Sequence, residues 1–128
     1  MIFVIDGNDG TGKSTLIEKL RKLGYDVKDR GLPTLLTDNP KLKPVRGEFY
    51  IILDAPVEVC QERLKKAGRD LNEKYHTLKD LIYYREKFLD IANNQLKGNC
   101  IVINASSNQN EVLEHTLNII NKLKNRQT

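Results

Sequence analysis

The sequence predicts an α/β protein: a three-layer α/β/α sandwich around a small parallel sheet of about four strands. Two observations carry most of this. Short, wholly apolar runs alternate with segments whose apolar residues recur at helical spacing, the order expected of strand–helix–strand units. The runs are apolar throughout rather than alternating with polar residues, as in strands buried on both faces. A third observation fixes the start of the chain: the first apolar run passes through a glycine-rich turn directly into an amphipathic segment. Right-handed crossovers then favour the strand order 2-1-3-4, with helices on both faces.

Residues 1–6 form the first strand, carried by Ile2, Phe3, Val4 and Ile5. Residues 7–12 are the glycine-rich turn. Leu16, Ile17, Leu20 and Leu23 mark one face of a helix over 14–23, and Gly24 is placed to stop it. Residues 25–29 are a short second strand. The stretch 31–47 holds three prolines and two glycines and reads as loop. A buried strand follows at 49–54. Pro56 opens the next helix, whose inward face is Val57, Cys60, Leu64 and Ala67, with Gly68 at its end. Residues 69–76 are a polar connection. Thr77 with Asp80 resembles a capping pair before a long helix bearing Leu78, Leu81, Ile82, Phe88, Leu89, Ala92 and Leu96. An apolar strand at 100–105 and a helix at 110–124 complete the chain.

The 128 residues suit one domain with one sizeable core. The chain is 39% hydrophobic and 30% charged, which excludes a disordered, collagen-like or disulfide-scaffold class. No apolar run approaches the ~20 residues of a membrane span, and nothing resembles a signal peptide. We therefore expect a cytoplasmic protein, acting in the host cytoplasm if phage or viral, with no membrane partner. Cys60 and Cys100 lie outside any metal or redox spacing and read as small core residues. His76 and His115 read as solvated. The net charge of +4, from 21 basic and 17 acidic residues, suits an anionic substrate without marking a nucleic-acid binder.

The chemistry sits in Gly7-Asn8-Asp9-Gly10-Thr11-Gly12-Lys13-Ser14, which fits G-x-x-x-x-G-K-[ST] at every fixed position. Its place between an apolar strand and an amphipathic helix is the one its mechanism needs. Glycines let the backbone wrap a phosphate, while the loop amides and the helix N-terminus donate hydrogen bonds. The predicted fold is thus a P-loop NTPase sandwich. Residues 7–15, ending at Thr15, would bind the phosphates of ATP, Lys13 would reach the β- and γ-phosphates, and Ser14 would ligate Mg²⁺.

Asp29-Arg30 ends the second strand, where a carboxylate faces the ligand crevice of a doubly wound sheet. Asp29 could hold Mg²⁺ or its water, and Arg30 could clamp an acceptor phosphate. Arg63, Lys65, Lys66, Arg69 and Asp70 lie at a helix end and in the connection after it. A basic flap there would neutralise the charge that spreads during phosphoryl transfer and close the site to water. The plain alternative is a solvated helix end, where cations are favoured anyway.

The stretch Ile5-Asp6-Gly7-Asn8-Asp9-Gly10-Thr11-Gly12-Lys13-Ser14-Thr15 resembles the opening of thymidylate kinases and related nucleoside monophosphate kinases. Asp29-Arg30 resembles their Asp-Arg pair. Leu53-Asp54-Ala55-Pro56 through Arg63 resembles the strand and helix leading to their lid. Gly68-Arg69-Asp70, with Glu73 behind, resembles the lid itself, here 63–76. Ile103-Asn104-Ala105-Ser106 resembles their last strand, whose following loop lies near adenine in that family. The resemblance implies a kinase with ATP and Mg²⁺ as donor and cofactor, with Lys13, Asp29, Arg30, Arg63 and Arg69 as catalytic groups and Ser14 with Asp29 at the metal. Gly10 stands where some members carry an arginine, which implies that the lid supplies that charge. Asp9 would lie near the acceptor sugar.

The chain departs from that pattern between Arg30 and Phe49, where the family keeps the helices of its acceptor pocket and this sequence has a short loop, 31–48. The donor half is complete and the acceptor half is cut down. Three outcomes follow: a minimal (deoxy)nucleotide kinase, with a pocket shallow or completed in a homodimer; a kinase acting on a DNA end or modified base, for which Lys41, Lys43 and Arg46 would suit the backbone; or an ATP-binding regulatory module without transfer. Leu32, Leu35 and Leu36, near the expected acceptor site, read as pocket wall, dimer contact or core, with core the favoured reading.

Overall fold

The computed structural model describes residues 1–29 and 45–126, the last of these by its backbone alone. Among them lie four strands and four helices, in the order β1 (Ile2–Gly7), α1 (Lys13–Lys22), β2 (Val27–Lys28), β3 (Glu48–Asp54), α2 (Val57–Lys66), α3 (Leu78–Asn93), β4 (Cys100–Asn104) and α4 (Gln109–Arg126). The four strands make one parallel sheet in the order β2-β1-β3-β4, as the apolar runs and right-handed crossovers predict.

The pleat divides the strand residues between two cores. Phe3, Ile5, Val27, Ile51, Leu53 and Ile103 face α1 and α4, and pack on Leu16, Ile17, Leu20, Val112 and Ile120. Val4, Tyr50 and Ile52 face α3 and pack on Phe88, Ile91 and Ala92. At the C-terminal end of the sheet α2 turns Val57, Cys60 and Leu64 onto Leu81 of α3. Each fully buried aliphatic side chain contributes about 1.5–3 kcal/mol, so the two faces hold the strand ends, and the loops leaving them, in place.

The helix boundaries follow their sequence signals. Gly24, at φ +91°, ends α1 and Gly68, at φ +75°, follows the last turn of α2, both in the left-handed conformation that glycine takes without strain. The Thr77 hydroxyl accepts from the Asp80 amide at 3.1 Å and caps α3. Arg21, near the end of α1, donates to the Val27 carbonyl from Nη2 at 2.9 Å and holds β2 to the helix.

Several expectations are corrected. Leu23 is 56% exposed, because it falls beyond the last buried turn of α1. Ala67 caps α2 and is exposed. Leu78 and Ile82 point outward, so the inward stripe of α3 runs through Leu81, Phe88, Ile91 and Ala92. That helix ends at Asn93, although Leu96 is still buried in the turn after it. β4 is covered unevenly: Ile103 is buried against α1 and α4, while on the other face Cys100 packs against the α3 core and Val102 is exposed. It is an edge strand, and α3 packs over β3 and β4, its buried stripe also reaching Val4 of β1.

Candidate functional site

The site forms where β1, β3 and β4 end and the loops leave the sheet. β1 closes on Asp6, which is fully buried. Its Oδ1 accepts from the Gly7 amide at 3.0 Å and lies 3.4 Å from the Lys13 ammonium. Lys13 itself is only partly buried. The loop between them is held by its own groups: the Thr11 hydroxyl donates to the Asn8 carbonyl at 2.7 Å, and the Asn8 side-chain oxygen accepts from the Asp9 amide at 3.1 Å. Gly12 takes φ +89° at the N-cap of α1. Among the described residues, no hydrogen bond occupies the amides of Gly10, Gly12, Lys13 and Ser14. These donors, with the positive end of the α1 dipole, are what an anion-binding loop requires.

Two neighbours lock the loop. The Asn8 amide group donates to the Leu81 carbonyl at 2.8 Å, joining the loop to α3. Gly10 lies against the backbone of α2, where a Cβ would meet the Cys60 carbonyl oxygen at 2.6 Å. The glycine that sequence comparison sets against an arginine is therefore required by close packing.

The loop residues Asn8, Asp9, Gly10, Gly12, Lys13, Ser14 and Thr15 line a cavity of about 460 Å³. Its other wall comes from α2 and the turn after it, through Arg63, Lys66 and Arg69, with Gln109 of α4 closing one side. The two arginines differ. Arg63 spends its guanidinium on backbone carbonyls, those of Thr11 at 3.3 Å and Gly10 at 3.5 Å from Nη1, and that of Ser107 at 3.0 Å from Nη2. It ties the loop to the turn after β4. The Arg69 guanidinium is exposed and has no hydrogen bond or ion pair among the described residues. Lys66 pairs loosely with Glu62 on the surface.

Asp29 is exposed and lies with Ser14 on a second cleft, beside Ile17, Glu18, Arg21 and Lys22. Ser14 thus borders both cavities. Arg30, like the loop 31–44 with Leu32, Leu35, Leu36, Lys41 and Lys43, lies outside the described residues. Arg46 is exposed in the turn before β3.

Sequence reasoning missed three groups. Asp54, at the end of β3, is held bidentately by Arg85 of α3 at 2.9 and 3.1 Å. Its signal was present: 81, 85, 88 and 92 share one helical stripe, so an arginine at 85 faces inward. Asp6, at the base of the loop, was given no role. His76, expected in solvent, is instead largely buried, with Nε2 3.2 Å from Asp9 Oδ2; no local pattern announced that contact. His115 is exposed as expected. The two cysteines are unpaired, and burial pushes each thiol up to about 11.

The parallel sheet, the strand–loop–helix unit and the basic wall facing it define a P-loop kinase fold. The comparisons agree. The chain is 39% identical over 77 residues to probable thymidylate kinase 1 of Saccharolobus solfataricus, across 60% of this chain and 38% of that protein. It is 31% identical over an alignment of 115 positions to bifunctional cordycepin biosynthesis cluster protein 3 of Cordyceps militaris, across 67% of this chain and 13% of that one. The chain thus spans well under half the length of either relative. No family model matches it. Among solved structures it resembles deoxyadenosine kinase from M. mycoides with bound dCTP, at TM-score 0.68 and 18% identity over 95% of this chain and all of that one. It also resembles shikimate kinase from Bacteroides thetaiotaomicron, at TM-score 0.51 and 12% identity over 98% of each. These likenesses show the fold of the P-loop kinases, with sequence similarity to part of a thymidylate kinase. Among the described residues no helix is long and apolar enough to cross a membrane.

Proposed function

We propose that residues 1–128 act as one kinase domain that transfers the γ-phosphoryl group of ATP to a (deoxy)nucleotide, as a minimal thymidylate-kinase-like enzyme of the cytoplasm. The observation that carries this reading is the cavity itself. The unoccupied amides of the loop, with Lys13 and Ser14, form one wall, and the unpaired Arg69 with Lys66 forms the other. Such a cleft takes a polyphosphate between its walls and can neutralise charge at the group in transfer.

In this reading the backbone amides and Lys13 bind the β- and γ-phosphates. Lys13, 3.4 Å from the buried Asp6, would turn from it toward the phosphates. Arg69 reaches the transferred group from the lid, 63–76. Arg63 holds the loop in shape. Among the described residues there is no cluster of three or more carboxylate, histidine or cysteine ligands. Mg²⁺ bound with a nucleotide needs only one or two protein oxygens beside the phosphates themselves. Ser14 and Asp29, sharing one cleft, are the residues that would hold it, and the ion would neutralise phosphate charge. Catalysis would consist of positioning and electrostatics, with no covalent intermediate. Arg30 is proposed for the acceptor phosphate on sequence grounds alone.

The test follows labelled γ-phosphate from ATP and Mg²⁺ into deoxynucleoside monophosphates, nucleosides and DNA, with Lys13→Ala as control. Label in a monophosphate, lost in the Lys13→Ala protein with its fold intact, upholds the reading. Label only in nucleosides or DNA moves the acceptor, and tight ATP binding without transfer makes the chain a binding module.

A further inference from the structure

His76 stands in the turn that joins α2 to α3, far in sequence from the phosphate loop. Its Nε2 lies 3.2 Å from Oδ2 of Asp9, and the imidazole is only 12% exposed. Its other nitrogen, Nδ1, is 3.3 Å from the Asp70 carbonyl and 3.5 Å from Glu73 Oε2. The turn is built to hold it there. Asp70 accepts from the Asn72 amide through its side chain and from the Glu73 amide through its carbonyl, and the His76 amide donates to the Glu73 carbonyl. Tyr75 sits at φ +74°, its amide donating to Asp80 Oδ2 at 2.9 Å. A bulky residue in that left-handed conformation is held against its own preference, and the turn it completes delivers the ring to the loop.

The contact has a consequence for Asp9. One carboxylate oxygen is taken by His76. The other makes no hydrogen bond among the described residues, and Asp9 lines the 460 Å³ cavity. A half-exposed aspartate on a glycine-rich loop would otherwise turn freely. Fixed through Oδ2, Asp9 keeps its second carboxylate oxygen as a hydrogen-bond acceptor on a residue that lines the cavity.

We propose that His76 is a positioning residue: it fixes Asp9 to accept a hydrogen bond from a hydroxyl group of the acceptor, and so makes acceptor recognition depend on the lid being docked on the loop. This rests on the phosphotransferase reading above. The ATP phosphates are held by the amides and Lys13, so the effect falls on the acceptor and spares the donor.

Two experiments test it. In transfer assays with the monophosphate acceptor, His76→Ala raises the acceptor KM about tenfold, the scale of one charge-assisted hydrogen bond, and leaves the ATP KM within about twofold. His76→Gln, whose amide nitrogen can occupy the place of Nε2, restores most of the loss, while His76→Asn does not. Equal losses in all three variants, or a change confined to the ATP KM, overturns the proposal. In unliganded protein labelled with ¹⁵N-histidine, Asp9→Asn displaces the His76 Nε2 resonance and leaves His115 unmoved; an unmoved His76 resonance overturns the contact itself. If wild-type protein transfers to no acceptor, the phosphotransferase reading and the acceptor half of this inference fail together, and the resonance decides the His76–Asp9 contact separately.

Discussion

Replacing Gly10 by alanine tests how the loop is seated on α2. The new Cβ would stand 2.6 Å from the Cys60 carbonyl oxygen and 2.9 Å from its Cα, and φ there is +85°. Both obstacles are backbone, so no rotamer change relieves them. The left-handed conformation costs an L-residue about 1–2 kcal/mol. Overpacking against a fixed helix adds about 1–3 kcal/mol, for a total of about 2–5 kcal/mol. Gly12 is the internal control: its φ is +89°, and nothing lies within 4 Å of its Cβ position. Gly12→Ala therefore suffers the conformational term alone, about 1–2 kcal/mol. Urea unfolding of the two variants beside wild type measures both. The difference between them isolates the contact with Cys60. If Gly10→Ala were no more destabilising than Gly12→Ala, the loop would not rest on α2, and the argument that position 10 excludes a longer side chain would fall.

Two further outcomes follow from buried groups. Burial pushes Cys60 and Cys100 up from 9.0 to about 11, so at pH 8 the thiolate is about a hundredfold scarcer than in an ordinary thiol. A chromogenic disulfide should label both only on unfolding, and rapid labelling of the native protein would refute this. Arg85→Met should cost about 1–2 kcal/mol, since the Asp54–Arg85 pair is bidentate but 22–34% exposed and partly screened by solvent. Asp54→Asn in that background should add little, and additive losses in thermal unfolding would show that the two do not act as a unit.

How far the sequence revealed the molecule depended on the range of each interaction. The loop was legible because its glycines, lysine and serine act within eight consecutive residues. Strand order was legible because three strands are long apolar runs and crossovers have one hand. The caps at Gly24, Gly68 and Thr77 are local chemistry and were read correctly. Helix faces were blurred at their ends: Leu23 and Ile82 fit the helical period, yet lie where no layer covers them. The contacts of His76 with Asp9 and of Arg85 with Asp54 join residues 67 and 31 positions apart. Their partners became neighbours only when α3 was docked on the sheet. For Arg85 the helical stripe offered a clue, whereas a lone histidine in a polar turn offered none.

The lid arginines, equivalent in sequence, should separate in the assay. Arg63 has its donors engaged by the carbonyls of Gly10, Thr11 and Ser107, and this shapes the phosphate loop in the resting state. Its interactions are made before substrate arrives, and if they persist through the reaction they do not favour the transition state over the ground state. Arg63→Ala should loosen the loop, lower the melting temperature and raise the ATP KM. Arg69 holds no partner among the described residues and lines the same cavity. In the proposed reaction its charge would be available to the group in transfer, with no cation at position 10 to share the task. Arg69→Ala should therefore lower kcat by about 10²- to 10³-fold, the scale of one lost electrostatic donor, with little change in ATP KM or stability. A pure KM effect at Arg69, or a kcat loss at Arg63 with unchanged stability, would reverse these roles. It would mean that the guanidinium of Arg63 leaves the carbonyls when ATP binds.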